Sequence, residues 1–168
     1  MAAKDVSRSQ PPQEGLRVKG IYRLQIDDGG TIVGDSGWKE NQITNNGFNQ
    51  FLCCTLGAIG SPASAQVKAM ALGTGGYPQT TDTGLAGEIT GSTARITISA
   101  STQTSSKTIQ FTGTFQSAAS FLGGSSNISN IGLFNTTQGG TLFAGNTFNS
   151  SACATNQNVN CTYQISFS

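Results

Sequence analysis

Val159-Asn160-Cys161-Thr162-Tyr163-Gln164-Ile165-Ser166-Phe167 alternates without a break. Val159, Cys161, Tyr163, Ile165 and Phe167 fall on one side; Asn160, Thr162, Gln164 and Ser166 fall on the other. Side chains of an extended chain point to opposite faces in turn, so the stretch reads as a strand with one face in a core and one in water. Upstream, Ile109, Phe111 and Phe115 repeat the pattern with Gly113 interposed. Further strand candidates are residues 67–72, 93–100, 107–116, 127–134, 141–148 and 159–167. Near the N-terminus Val18, Tyr22, Leu24 and Ile26 alternate into the turn Asp27-Asp28-Gly29-Gly30 and return through Thr31-Ile32-Val33. A second turn, Asp35-Ser36-Gly37, leads to Trp38 and an extended run through Ile43. Helices do not alternate with these strands. The expected fold class is therefore all-β, a two-sheet, jelly-roll-like β-sandwich.

One short helix is expected. Asn45 or Asn46 serves as its cap, and Phe48, Phe51, Leu52, Leu56 and Ile59 recur at three- and four-residue steps. Gly57 or Gly60 ends it, and its thin polar side suits a plug across the end of the sandwich. Residues 1–15 read as an extended N-terminal arm, polar and broken by Pro11-Pro12, ahead of a sandwich domain at 16–168.

Composition agrees with strands. At 168 residues, one domain buries roughly 70% of its unfolded surface. Charged residues make up only 10% of the chain, and Gly, Ser, Thr and Asn fill the gap. Charges crowd the stretch from Lys4 to Glu40, and Lys107 is the last charged side chain. Exposed sheets are ordinarily kept apart by Lys and Glu, so a charge-free C-terminal third points to faces or edges covered by neighbouring subunits. A net charge of +1 gives no field for nucleic acid or anionic membrane, so neither is an expected partner. The first residues show no apolar signal segment and no stretch has transmembrane length, so synthesis in the cytosol is expected.

Catalytic chemistry finds few groups. The chain has no histidine, which removes the usual general base and the common triads. Asp82 and Glu88, the only acids beyond residue 40, lie on a Gly/Thr-rich loop without a second feature of a glycosidase cleft. Leu72-Gly73-Thr74-Gly75-Gly76 lacks the Gly-Lys-Ser/Thr ending of a phosphate loop. No enzyme activity and no cofactor or metal are expected. Cys53 and Cys54 read as small buried hydrophobes in the helix. Cys153 and Cys161 flank a polar loop between two strands, which leaves a disulfide between them open.

Several segments, taken in order, carry a resemblance. They are Thr44-Asn45-Asn46-Gly47-Phe48-Asn49, Ala71-Leu72-Gly73-Thr74-Gly75 and Asp82-Thr83-Gly84-Leu85 with Glu88 and Arg95. Ile128-Ser129-Asn130-Ile131-Gly132-Leu133-Phe134-Asn135, Gly139-Gly140-Thr141-Leu142-Phe143-Ala144 and Thr162-Tyr163-Gln164-Ile165-Ser166-Phe167 follow. The series resembles small tailed-phage virion proteins, found as capsid decoration (cement) proteins and as tail or fibre components. Asn130 departs from the acid common at that place in the group. The resemblance implies a structural protein on the outer surface of a phage capsid, with the major capsid protein and copies of itself, as a homotrimer, for partners. Arm residues Lys4, Asp5, Arg8, Pro11 and Pro12 are then the candidate capsid contacts. The alternative is a tail or fibre component with receptor- or glycan-binding loops at residues 73–87 and 116–126, Tyr77 being the stacking residue. Glu88 and Arg95 are placed to tie the long loop to the following strand.

Overall fold

The computed structural model describes residues 17–49, 66–90, 95–103 and 107–168. Its strands are β1 (Val18–Asp28), β2 (Thr31–Asp35), β3 (Lys39–Glu40), β4 (Gln42–Ile43), β5 (Ala69–Gly73), β6 (Arg95–Thr97), β7 (Ser99–Gln103), β8 (Thr108–Phe115), β9 (Ser126–Phe134), β10 (Leu142–Cys153) and β11 (Asn158–Phe167). They form two antiparallel sheets. The first runs β2-β1-β11-β8-β7 with β3 also on β1, and the second runs β4-β10-β9-β5-β6. The all-β sandwich expected from the alternation is the architecture formed.

β11 lies at the middle of the first sheet because both its neighbours match its period. It pairs with β1 from Val18↔Phe167 to Asp27↔Asn158 and with β8 from Val159↔Phe115 to Ser166↔Thr108. In this register Tyr22, Leu24 and Ile26, Val159, Cys161, Tyr163 and Ile165, and Phe111 and Phe115 turn to the same side. Met70 and Leu72, Ile131 and Leu133, and Phe143 meet them from the second sheet. Each large side chain removed from water there contributes on the order of 2 kcal/mol. Tyr22 stacks on Tyr163 with ring centroids 5.7 Å apart, and its hydroxyl donates to the Thr147 carbonyl at 2.6 Å, tying the sheets together.

The β1–β2 turn forms as expected. Gly29 and Gly30 take positive φ, 59° and 96°, and the Gly30 N–H is held by the Asp27 carboxylate at 2.9 Å. Two expected strands are divided. The run from Trp38 through Ile43 breaks at Asn41, where the chain leaves the first sheet (β3) for the second (β4). Asn41 hydrogen-bonds the Gly20 carbonyl there and fills the space that a Cβ on Gly20 would take. The strand expected at 93–100 likewise becomes β6 in the second sheet and β7 in the first. The switch falls at Ile98, whose N–H goes back to the Lys68 carbonyl at 3.1 Å. Conversely, β10 runs beyond the expected residue 148 to Cys153, because it regains pairing with β9 at Ser151↔Ile128 after an irregularity.

The helix starts at Asn45, and its cap is Thr44 rather than Asn45 or Asn46. The buried Thr44 hydroxyl accepts the Gly47 N–H at 3.0 Å and lies 2.8 Å from the Leu142 carbonyl, so it joins the helix start to β10. Gly47 is required at this approach, since a Cβ would stand 2.3 Å from the Phe143 carbonyl oxygen. The rest of the expected helix, with Cys53 and Cys54, lies outside the described residues, as does the arm at 1–15.

The two outer faces differ. Outward-facing Ala69, Ala71, Phe134 and Leu142 of the second sheet are covered by Leu85 from the loop after β5. The outward face of the first sheet carries Thr112 and Thr114 on β8 and Asn160, Thr162 and Gln164 on β11, all still in contact with solvent.

Candidate interaction surfaces

The loop at 74–90 is the longest stretch without strands among the described residues, yet it is fastened throughout. The Ile89 N–H returns to Leu72, the Leu142 N–H takes the Thr83 carbonyl, and the Ser129 hydroxyl donates to Gly75. Asn130, fully buried on β9, donates from Nδ2 to the Ala86 carbonyl at 2.9 Å and to Gly76 at 3.3 Å. Its Oδ1 fits only because position 73 is glycine, where a Cβ would stand 2.3 Å away. An amide suits this place better than an acid because both neighbours are acceptors.

The expected Glu88–Arg95 pair forms at the edge of the same loop. Arg95 Nε and Nη2 meet the two Glu88 carboxylate oxygens at 2.5 and 2.9 Å. The guanidinium lies 3.6 Å over the Phe134 ring, and Nη1 donates to the Thr136 and Gly139 carbonyls. Side-chain exposures of 10% and 16% take this pair out of the class of solvated surface bridges. One guanidinium thus joins the loop after β5, strand β6 and the loop after β9.

Tyr77 rides on this fixed loop, 47% exposed, with its hydroxyl donating to the Gln42 side chain at 3.1 Å. Asp82 is used locally and accepts the Gln79 N–H at 2.8 Å. The other candidate loop, 116–126, folds inward. Phe121 and Leu122 are buried, Phe121 against Phe115 at 5.5 Å, and the Ser117 N–H is held by Asn158. Its apolar side chains belong to the core, which leaves Tyr77 as the exposed aromatic of the two loops.

A group of exposed apolar side chains lies elsewhere, at a place the sequence pattern did not single out. Ile32 (45%) and Val33 (55%) are on β2, the edge of the first sheet, and Trp38 (47%) precedes β3 on the same side of β1. Val33 is the extra residue of a bulge: pairing passes from Ile26↔Gly34 to Asp27↔Ile32. Two ion pairs lie beside it, and Asp27 and Asp28 stand opposite Ile32 and Thr31 in the β1–β2 ladder. Arg23 holds both oxygens of Asp35, which keeps that carboxyl well below its usual range, and Lys19 sits 2.6 Å from Glu40 and lowers it too. An edge that exposes Ile and Val with no charge from Thr31 to Gly34 has the chemistry of a protein contact.

Cys153 and Cys161 are both free thiols in the structure and both buried in the core, where desolvation raises their pKa values. Lys4, Asp5, Arg8, Pro11 and Pro12 lie outside the described residues. Among those residues no helix is long and apolar enough to cross a membrane, and no cluster of three metal-ligating side chains occurs. Comparison with known proteins adds no relative: no family model, curated protein or solved structure matches this chain.

Proposed function

We propose that this chain is a structural protein of a tailed-phage particle, acting as a capsid decoration (cement) protein on the outer surface. In this reading it bridges major capsid subunits as a homotrimer, with the arm reaching the neighbours. The observation that carries the reading is the exposed apolar group of Ile32, Val33 and Trp38 along the β2 edge, on a sandwich whose described loop at 74–90 is fastened down. The ordered run of motif segments and the charge-free stretch after Lys107 support it as well. Many small contacts repeated over a lattice act together, so no single tight site is needed. Copy number in purified particles tests it, measured by quantitative mass spectrometry against the major capsid protein. Abundance comparable with the shell subunit is expected; a few copies per particle refutes decoration. Removing residues 1–15 is expected to weaken capsid attachment while the sandwich stays folded.

A second reading, a tail or fibre component that binds a receptor through its loops, is favoured by Tyr77. This ring is half exposed on a rigid loop, as a stacking contact requires. Low copy number together with loss of host adsorption on Tyr77→Ala would select it.

A further inference from the structure

The switch of the chain between sheets at Ile98 has a by-product. The ladder between β7 and β8 begins at Ser99↔Thr112, while β8 continues to Phe115. The residues beyond Thr112 therefore run past their neighbour, and a groove of about 410 Å³ opens on the outer face of the first sheet. Thr112 and Thr114 of β8 and the cross-strand Thr162 and Asn160 of β11 line it, together with Thr97, Ser99 and Gln116. Gly113 between the two threonines turns to the inner side, where a Cβ would stand 2.6 Å from Ile96. The Cys161 thiol belongs to the core cluster and does not contribute.

We propose that this groove binds a neutral carbohydrate, of mono- or disaccharide size. The volume falls within the usual range for small-ligand sites, roughly 300–1,000 Å³. The polar side chains that line it are five hydroxyls and two carboxamides, and none is charged. A threonine hydroxyl both donates and accepts, which matches the same double capacity of a sugar hydroxyl. An ionic ligand would find no counter-charge. The charged side chain in register with Thr162 is Arg23, and its guanidinium is already bound to Asp35. Asn160 is set in place beforehand: the Thr114 hydroxyl donates to its Oδ1 at 2.8 Å, leaving the amide N–H groups for a ligand. No aromatic ring lines the groove, so affinity comes from hydrogen bonds that replace bonds to water and is about millimolar. Repetition of the chain on a particle would multiply it. The inference goes beyond the assembly reading and does not depend on which part of a particle the chain occupies.

The test is an amide NMR titration of the full chain with glucose, galactose, N-acetylglucosamine and disaccharides of each, and with sialic acid as the charged comparison. At least one neutral sugar is expected to give saturable shifts at residues 97–99, 112–116 and 160–162. Thr112→Val and Thr162→Val, each isosteric and suited to a strand, should keep the thermal midpoint and weaken binding about tenfold. Absence of saturable shifts with every neutral probe overturns the proposal. So do shifts that both variants leave unchanged, or equal binding of sialic acid.

Discussion

Replacing Asn130 by aspartate swaps one atom and should turn a pH-insensitive anchor into a pH-dependent weak point. The Asn130 amide gives N–H bonds to the Ala86 and Gly76 carbonyls from a fully buried position. A carboxylate there donates nothing and faces two acceptors. Loss of two ordinary bonds costs about 2 kcal/mol, and the neutral acid restores one of them, so ~1 kcal/mol of loss remains when it is protonated. Ionisation in such surroundings is opposed by burial and by the carbonyl dipoles, which raise a carboxyl pKa by roughly 2–3 units, or ~3–4 kcal/mol. The folded pKa thus lies above the unfolded value of about 3.9. The extra penalty is absent below the unfolded pKa, grows as pH rises toward the folded pKa, and is complete above it. Urea unfolding of the parent and Asn130→Asp at about pH 3.5 and pH 8 should give a destabilisation of ~1–2 kcal/mol at the lower pH and ~4–5 kcal/mol at the higher. An equal, small destabilisation at both would refute the reasoning, because it would mean that the side chain reaches water.

Glu88→Gln should cost about 2–3 kcal/mol in thermal or urea unfolding, since it leaves the largely buried Arg95 guanidinium without its counter-charge. Arg95→Lys should recover little of the loss seen in Arg95→Ala, because an ammonium cannot reach Glu88 and two carbonyls while lying over Phe134. Thr44→Ala should lose about 1–2 kcal/mol and Thr44→Ser should regain most of it, as expected of a cap that serves through its hydroxyl. Replacing Ile32 and Val33 with lysine should leave the unfolding midpoint within a degree or so yet abolish attachment to particles, since these side chains make little of the core. Arg23→Met should return the Asp35 carboxyl toward its ordinary titration range, read by carbonyl-region NMR, because the guanidinium is the first cause of its depression.

The strands with one buried face were legible, since Tyr163 or Ile26 can be exchanged between faces only by disrupting the alternation. The sheet switches at Asn41 and Ile98 were not. Local periodicity is the same on either side of a switch, and what decides it is a distant partner, the Gly20 carbonyl in one case and Lys68 in the other. Thr44, Asn45 and Asn46 are all good caps by residue type, and only contact with the Leu142 carbonyl singles out Thr44. The Glu88–Arg95 pair was visible as two charges in a charge-poor region, but its hold on Phe134 and the 136–139 carbonyls was not. Tyr77 stands out in the sequence as the aromatic of a Gly/Thr-rich loop, while its exposure is set by the fold. Ile32 and Val33 read as ordinary strand residues, because no pattern in 31–35 reveals that the strand lies at the edge of its sheet with most of its residues exposed. The groove has no signature in the sequence for the same reason, as it depends on where β7 starts beside β8.

The pairing of β1 with β11 has a consequence for how the molecule is made. The ten matched positions from Val18↔Phe167 to Asp27↔Asn158 join segments at opposite ends of the described chain, and β11 also supplies the neighbour that β8 needs. During synthesis the first sheet has no middle until this segment leaves the ribosome. β1 waits with Tyr22, Leu24 and Ile26 exposed, while β5, β9 and β10 can already pair among themselves. Folding that depends on such distant contacts is slow and leaves sticky strands in the open. Chains interrupted before Asn158 should therefore be aggregation-prone, because β1 and β8 are joined only through β11.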